Sequence, residues 1–276
     1  MRVRHLGFAF GWAVPGALGA QGVVVAPHAV FMNHRTRAGV VELYNPEGRP
    51  VEVAISLLFG YPVTDSAGHL LLHAPDSVTP NQPSATEWIT ALPRRVVIPA
   101  LTRQTIRLLG RPPPGLRDGE YWTRLVVAAK GAALPVSGVD TTSGVQVGLT
   151  LEVRTIIPVY YRKGAVESGV RVSDLRTELE PDSIAVRARL VRTGNAVFLG
   201  TVRGTLLNAA RRTVSGFAVP LAVYYDIEPR FAMSRAGLPP GQYLLRLEVS
   251  SERTDIPVEQ LLRAATVRDS VTIVVK

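Results

Sequence analysis

Between Val145 and Arg162 the chain reads VQVGLTLEVRTIIPVYYR. Apolar residues fall on nearly every second position: Val145, Val147, Leu149, Leu151, Val153, Ile157, Val159 and Tyr161, with Thr155 the one break. The intervening residues through Arg154 are polar or lack a side chain. A period of two over that length dictates a β-strand with one buried and one wet face. Ordinary strands run to about 5–6 residues, so this one outreaches an ordinary sheet and something must cover the surplus apolar face. Periodicity does not say whether the cover is the protein's own core or another chain.

The remaining composition excludes several function classes. With 276 residues the chain has room for one large domain or two of ordinary size. It has no cysteine, which removes disulfides, thiol nucleophiles and Cys-based zinc sites. The net charge of +9 is nearly all arginine, the lysines being Lys130, Lys163 and Lys276. These cations are scattered along strands, with no basic helix, finger spacing or aromatic RNA-binding signature, so a solvated surface is expected and no nucleic-acid partner. His28, His34, His69 and His73 show no metal-ligand spacing on one element. Asp118/Glu120 and Asp226/Glu228 are close carboxylate pairs at strand ends, where turn capping explains them. Nothing resembles a G-x-S-x-G elbow or a phosphate-binding glycine loop, so no enzyme, catalytic residue, metal or cofactor is expected.

Residues 1–20 read as a secretory signal. Arg2 and Arg4 precede an apolar run from Leu6 to Leu18, with the small residues Ala17, Gly19 and Ala20 at and just beyond its end. The run is shorter than the roughly 20 residues a membrane span needs. No later segment qualifies, so the mature protein is expected to be exported without a transmembrane segment.

From Val23 onward the chain is strands and turns. Val23 to Phe31 (interrupted by Pro27), Val40 to Tyr44, Val51 to Phe59, Leu70 to Leu72, Val96 to Ile98 and Thr105 to Leu109 read as strands. The rest of Gly60 to Thr90 reads as a loop-dominated crossing. Val170 to Leu179, Ile184 to Val191, Val197 to Leu207 and Val214 to Tyr225 continue the pattern, with a short helical turn expected over Glu259 to Ala265. An internal repeat organises them. Leu116 to Val127 and Leu238 to Val249 both fit L-x-x-G-x-Y-x-x-R-L-x-V. A tyrosine just after a turn, at the start of a strand, marks the tyrosine corner of immunoglobulin-like sandwiches, where its hydroxyl bonds back to the chain. The expected fold is all-β: two tandem immunoglobulin-like β-sandwich domains, at residues 23–162 and 165–276.

An exported pair of such domains, with HAVFMNHRTRAGVVELYN at His28 to Asn45, QTIRL at Gln104 to Leu108 and PVYYR at Pro158 to Arg162, resembles the periplasmic pilus-assembly chaperones of the PapD-like type. That resemblance implies β-augmentation: the last strand of the first domain lends alternating side chains to a subunit lacking a strand. The lending positions would be Val147, Leu149, Leu151 and Val153. It also implies a periplasmic protein (the extracellular space being the alternative) whose partners are subunits of a pilus or surface structure and an outer-membrane usher. Arg162 matches the family's domain-orienting arginine with Glu120 as its partner, and no acidic third member can be placed in the second domain. The sequence departs from the family at the cleft floor, where two basic residues would hold a client's carboxylate. His28 and Pro158 stand there, and proline has no N–H to donate. The loop from Lys130 to Gly144 is expected to be mobile until a client orders it. The other reading the residues leave open is a structural or adhesive envelope protein whose long strand is internal or completed by a neighbour.

Overall fold

A computed structural model describes residues 22–130, 134–135, 148–149 and 151–275. The signal expected over residues 1–20, Val147 and most of the loop before Gly144 lie outside the described residues. In chain order the first half has β1 (Val24–Ala26), β2 (Val30–Asn33), β3 (Ala38–Tyr44), β4 (Val51–Leu58), β5 (Tyr61–Thr64), β6 (Leu70–His73) and β7 (Ile89–Leu92). There follow β8 (Arg95–Ile98), β9 (Arg103–Gly110), β10 (Gly119–Lys130), β11 (Leu134–Pro135), β12 (Gly148–Leu149) and β13 (Glu152–Lys163). The second half has β14 (Ser168–Leu179), β15 (Ser183–Gly194), β16 (Phe198–Leu207) and β17 (Thr213–Val223). It ends with β18 (Asp226–Ile227), β19 (Arg230–Ser234), β20 (Gly241–Ser250) and β21 (Val267–Val275).

The protein is all-β, with two tandem immunoglobulin-like sandwiches. In the first, the sheet β1-β3-β9-β7 faces the sheet β2-β13-β10-β4-β8. Alternation supplies the core: Val41 and Leu43, Val51, Val53 and Ile55, Ile106 and Leu108, Leu125 and Val127 are all buried between the layers. In the second, β14-β15-β18, with β19 also on β15, faces β17-β16-β20-β21. Its core is separate and includes Ile184, Val186, Phe198, Val202, Leu245 and Leu247.

Three local readings change. Pro27 divides the first apolar run into strands that enter opposite sheets, β1 beside β3 and β2 beside β13. A proline lacks the N–H that a continuous ladder would need there. The crossing after Gly60 holds a hairpin, β5 with β6, and later β7, whose short apolar stretches lack the length that makes periodicity legible. The helical turn expected over Glu259 to Ala265 is a single 3-10 turn at Val258–Gln260, with no buried residue to extend it.

Both repeat tyrosines close a corner. The Tyr121 hydroxyl donates to the Arg117 carbonyl at 3.1 Å, and the Tyr243 hydroxyl donates to the Pro239 carbonyl at 2.8 Å. Each bond ties the start of β10 or β20 to the turn four residues back. Tyr243→Phe leaves a part-buried carbonyl unpaired and is expected to lower unfolding stability by about 1 kcal/mol, as read by denaturant unfolding. The more exposed Tyr121→Phe should lose less.

Candidate functional site

Strand β13 is where the long apolar series meets the fold. It begins at Glu152, and Leu149 stands upstream in β12, paired with Leu134 of β11, so the single strand expected from Val145 is not found among the described residues. From Glu152 to Lys163, β13 pairs antiparallel with β10 along the whole length of both strands. Alternation gives this ladder two faces. Ile157, Val159 and Tyr161 enter the first core with Leu125 of β10. Glu120, Trp122 and Arg124 stand on the other face, directly opposite Arg162, Tyr160 and Pro158.

Strand β13 is half closed on its second edge. Strand β2 pairs with it in parallel, but only from Val159 to Arg162. Among the described residues, nothing pairs with that edge between Glu152 and Pro158. Along this stretch the side chains that continue the core-facing series leave the core. Leu151 is 42% exposed and Val153 38%, whereas Ile157 and Val159 are buried. The side chain of Leu149 is not described. The apolar series is therefore divided: its C-terminal part packs on its own sandwich, and Leu151 and Val153 stand outside that core.

The second face of the ladder is covered by the second domain. Trp122, Tyr160 and Phe59 form a buried cluster with Val197, Leu199, Tyr224 and Ile256. Trp122 meets Tyr224 edge to face at 4.9 Å, and the Tyr160 and Tyr224 hydroxyls share a hydrogen bond of 2.7 Å. Burial pushes both phenols above their usual range, so both stay neutral. At the end of the ladder, Arg162 Nε donates to Glu120 Oε2 at 2.6 Å. Glu120 Oε1 accepts from the Val197 N–H at 3.0 Å, and Arg162 Nη1 donates to the Gln260 carbonyl at 2.7 Å. Each member of the pair thus bonds a backbone group of the second domain, where the sequence offered no acidic third member. Main-chain donors and acceptors carry no residue-type signal, which is why they could not be read.

His28 and Pro158 come together in the cleft between the domains, on the wall of a cavity of about 410 Å³. Two arginines that sequence reasoning did not single out also line it, Arg124 and Arg253. Asp255 neutralises Arg253 with two hydrogen bonds, and Arg253 holds the Asp255 carboxyl below its usual range. Arg124 has no carboxylate partner among the described residues. Its Nε donates to the Gly60 carbonyl at 3.1 Å and its guanidinium lies 4.9 Å from the Tyr224 ring centroid. Those contacts position the group, and among the described residues its terminal nitrogens have no hydrogen-bond partner. The signal for Arg124 was present, since it is the arginine of the internal repeat. Its counterpart Arg246 is exposed on the outer sheet face of the second domain, so the repeat alone does not separate the two.

Compared by sequence, no protein-family model and no curated protein matches the chain. Among solved structures, it is similar to a chain of the CsuC–CsuE chaperone–tip adhesion subunit pre-assembly complex from the archaic chaperone-usher Csu pili of Acinetobacter baumannii. The identity is 14% and the TM-score 0.48, over 90% of this chain and 97% of that one. It is similar to the YadV chaperone at 14% identity and TM-score 0.44, over 91% and 99%. To the Pseudomonas aeruginosa CupB2 chaperone the values are 12% and 0.41, over 90% and 98%.

The buried Glu120 generates a prediction. Replacement by Leu strands the Arg162 charge between the domains and is expected to lower stability by about 3–5 kcal/mol. Burial, opposed by Arg162, raises the Glu120 carboxyl above its usual range. A raised carboxyl ionises more readily in the unfolded chain than in the fold. Its stabilising contribution is therefore complete below the unfolded value and is lost as pH rises through the folded one. Unfolding measured from about pH 4 to about pH 7 should show that decline in the parent protein and a flatter profile in Glu120→Gln.

Proposed function

We propose that this protein is a periplasmic chaperone-like protein that holds subunits of a pilus or surface fibre by adding its β13 edge to them. The observation that carries the reading is the edge from Glu152 to Pro158, unpaired among the described residues, with exposed Leu151 and Val153 at its head and Arg124 at its closed end. An edge strand satisfies half of its main-chain groups only when another strand joins it, and alternate side chains then enter pockets of the partner. In this reading Val147, Leu149, Leu151 and Val153 are the side chains lent.

Direction follows from charge. Strand β2 occupies the edge from Val159 onward, so an incoming strand must stop at Pro158. A strand running parallel to β13 ends there with its carboxylate, and an antiparallel one would begin there with its ammonium. Arg124, cross-strand from Pro158, favours the carboxylate. The fixed cation that proline cannot supply at position 158 is thus supplied by the neighbouring strand. Glu120 and Arg162 hold the two domains at the angle that keeps this cleft open. The client is a protein strand, and the role is binding with no chemical step. Export and an outer-membrane usher are part of the same reading: the N-terminal basic and apolar run supports the first, and the family resemblance implies the second.

Two variants test it. Leu151→Asp with Val153→Asp alters exposed side chains, so thermal stability should stay within about 0.5 kcal/mol per site, while capture of envelope subunits in a pull-down disappears. Arg124→Met should weaken binding of a carboxylate-ended client peptide by about tenfold to a hundredfold, the range of a hydrogen bond to a charged group. An amidated peptide should bind both proteins alike. Unchanged capture by the double mutant would sink the strand-addition reading. A purified chain whose edge is filled by a second copy in a permanent assembly would favour a structural role.

A further inference from the structure

The reading above, on which this inference rests, places a client's chain end at Arg124, and the hairpin β5–β6 bears on what kind of end it is. Among the described residues these strands pair only with each other. The hairpin leaves the first sandwich and lodges against the second. The Glu228 N–H donates to Thr64 Oγ1 at 2.9 Å, and the Arg230 N–H donates to the Gly68 carbonyl at 3.0 Å. The Arg187 guanidinium donates to the carbonyls of Ser66 and Ala67 at 3.1 and 2.8 Å. Gly68 has φ +85°, and a Cβ there would lie 2.7 Å from the Arg230 side chain, so only glycine fits. At the root, the Tyr61 ring packs edge to face on Tyr225 at 4.7 Å. Pinned at its tip and its root, the hairpin is a preformed wall.

That wall is apolar where it meets the cleft. Leu70, Leu71 and Leu72 are 45%, 52% and 45% exposed, and all three line the cavity that holds Arg124. Ile156 of the β13 edge, with Leu199 and Ile256 of the second domain, also lines it. Three successive half-exposed leucines on a strand paired on one edge are an apolar surface that the fold itself does not use. A cavity of about 410 Å³ is of ligand-site size. Arg124, a cation without a carboxylate partner among the described residues, stands in a mostly apolar chamber at the end of a strand edge that no described strand pairs, and so complements an anion carried on an apolar body.

We propose that this chamber receives the last residues of a client strand and that β6 selects an apolar side chain beside the terminal carboxylate. The hairpin is then a specificity element, acting on which chain ends are accepted, while β13 supplies the sequence-tolerant main-chain pairing.

The test uses fluorescently labelled peptides of alternating Val and Thr that differ only in a last residue of Phe, Leu, Ser or Asp, with anisotropy as the readout. For the parent protein, Phe and Leu ends should bind at least tenfold more tightly than Ser and Asp ends. Leu71→Asp should abolish that preference, and Leu71→Met should keep it, with unfolding curves confirming that both variants are folded. Equal affinity for all four ends in the parent protein, or a preference that survives Leu71→Asp, would overturn the inference and leave strand addition standing. Absence of binding by every peptide would overturn strand addition, and this inference with it.

Discussion

Everything that distinguishes this molecule is carried by one antiparallel ladder, β10 against β13. The register pairs Glu120 with Arg162, Trp122 with Tyr160, Arg124 with Pro158 and Leu125 with Ile157. Because side chains alternate, the first three pairs share the face turned to the second domain and the last belongs to the core. A slip of one residue would drive Glu120 into the sandwich and turn Leu125 to the cleft. The core and the cleft are therefore specified together, and the corner bond of Tyr121 to Arg117 helps fix where β10 starts.

Between the domains, three kinds of contact act at separate places. The aromatic cluster around Trp122 buries the middle of the ladder, the Glu120–Arg162 pair bonds main-chain groups at one end, and the β5–β6 hairpin reaches across at the other. Dispersion and apolar burial supply attraction without direction, while hydrogen bonds to fixed backbone groups supply geometry. A cleft held in this way is formed before anything enters it, so a ligand does not lose affinity to the ordering of its own site.

An open strand edge is a hazard for a free protein, because any other strand can join it. The edge of β13 that no described strand pairs is short, closed by β2 beyond Pro158, and carries the ion pair of Glu152 and Arg154. Charges at such a place discourage self-pairing. Pro27 contributes to the same arrangement, since the break it makes lets one end of the chain serve both sheets.

The sequence by itself determined the all-β class, the two sandwiches and the corner tyrosines, because a period of two and a repeated turn-Tyr motif are local properties of the chain. It also marked Leu151 and Val153 as apolar residues in search of cover, while the pairing of Glu120 with Arg162 came from the family resemblance and its geometry from the register of β10 on β13. Short or unpatterned pieces escaped it: β5, β7 and the backbone groups of Val197 and Gln260 carry no periodic or residue-type signal. Arg124 and Arg246 occupy the same place in the repeat, and nothing local tells them apart. Only the tertiary structure did so, by laying a second domain over one sheet face and leaving the other to water. The same holds for the long apolar series, where Ile157 and Val159 meet a facing sheet and Leu151 and Val153 do not. Alternation states which side chains share a face, and burial depends on what the rest of the chain brings to that face.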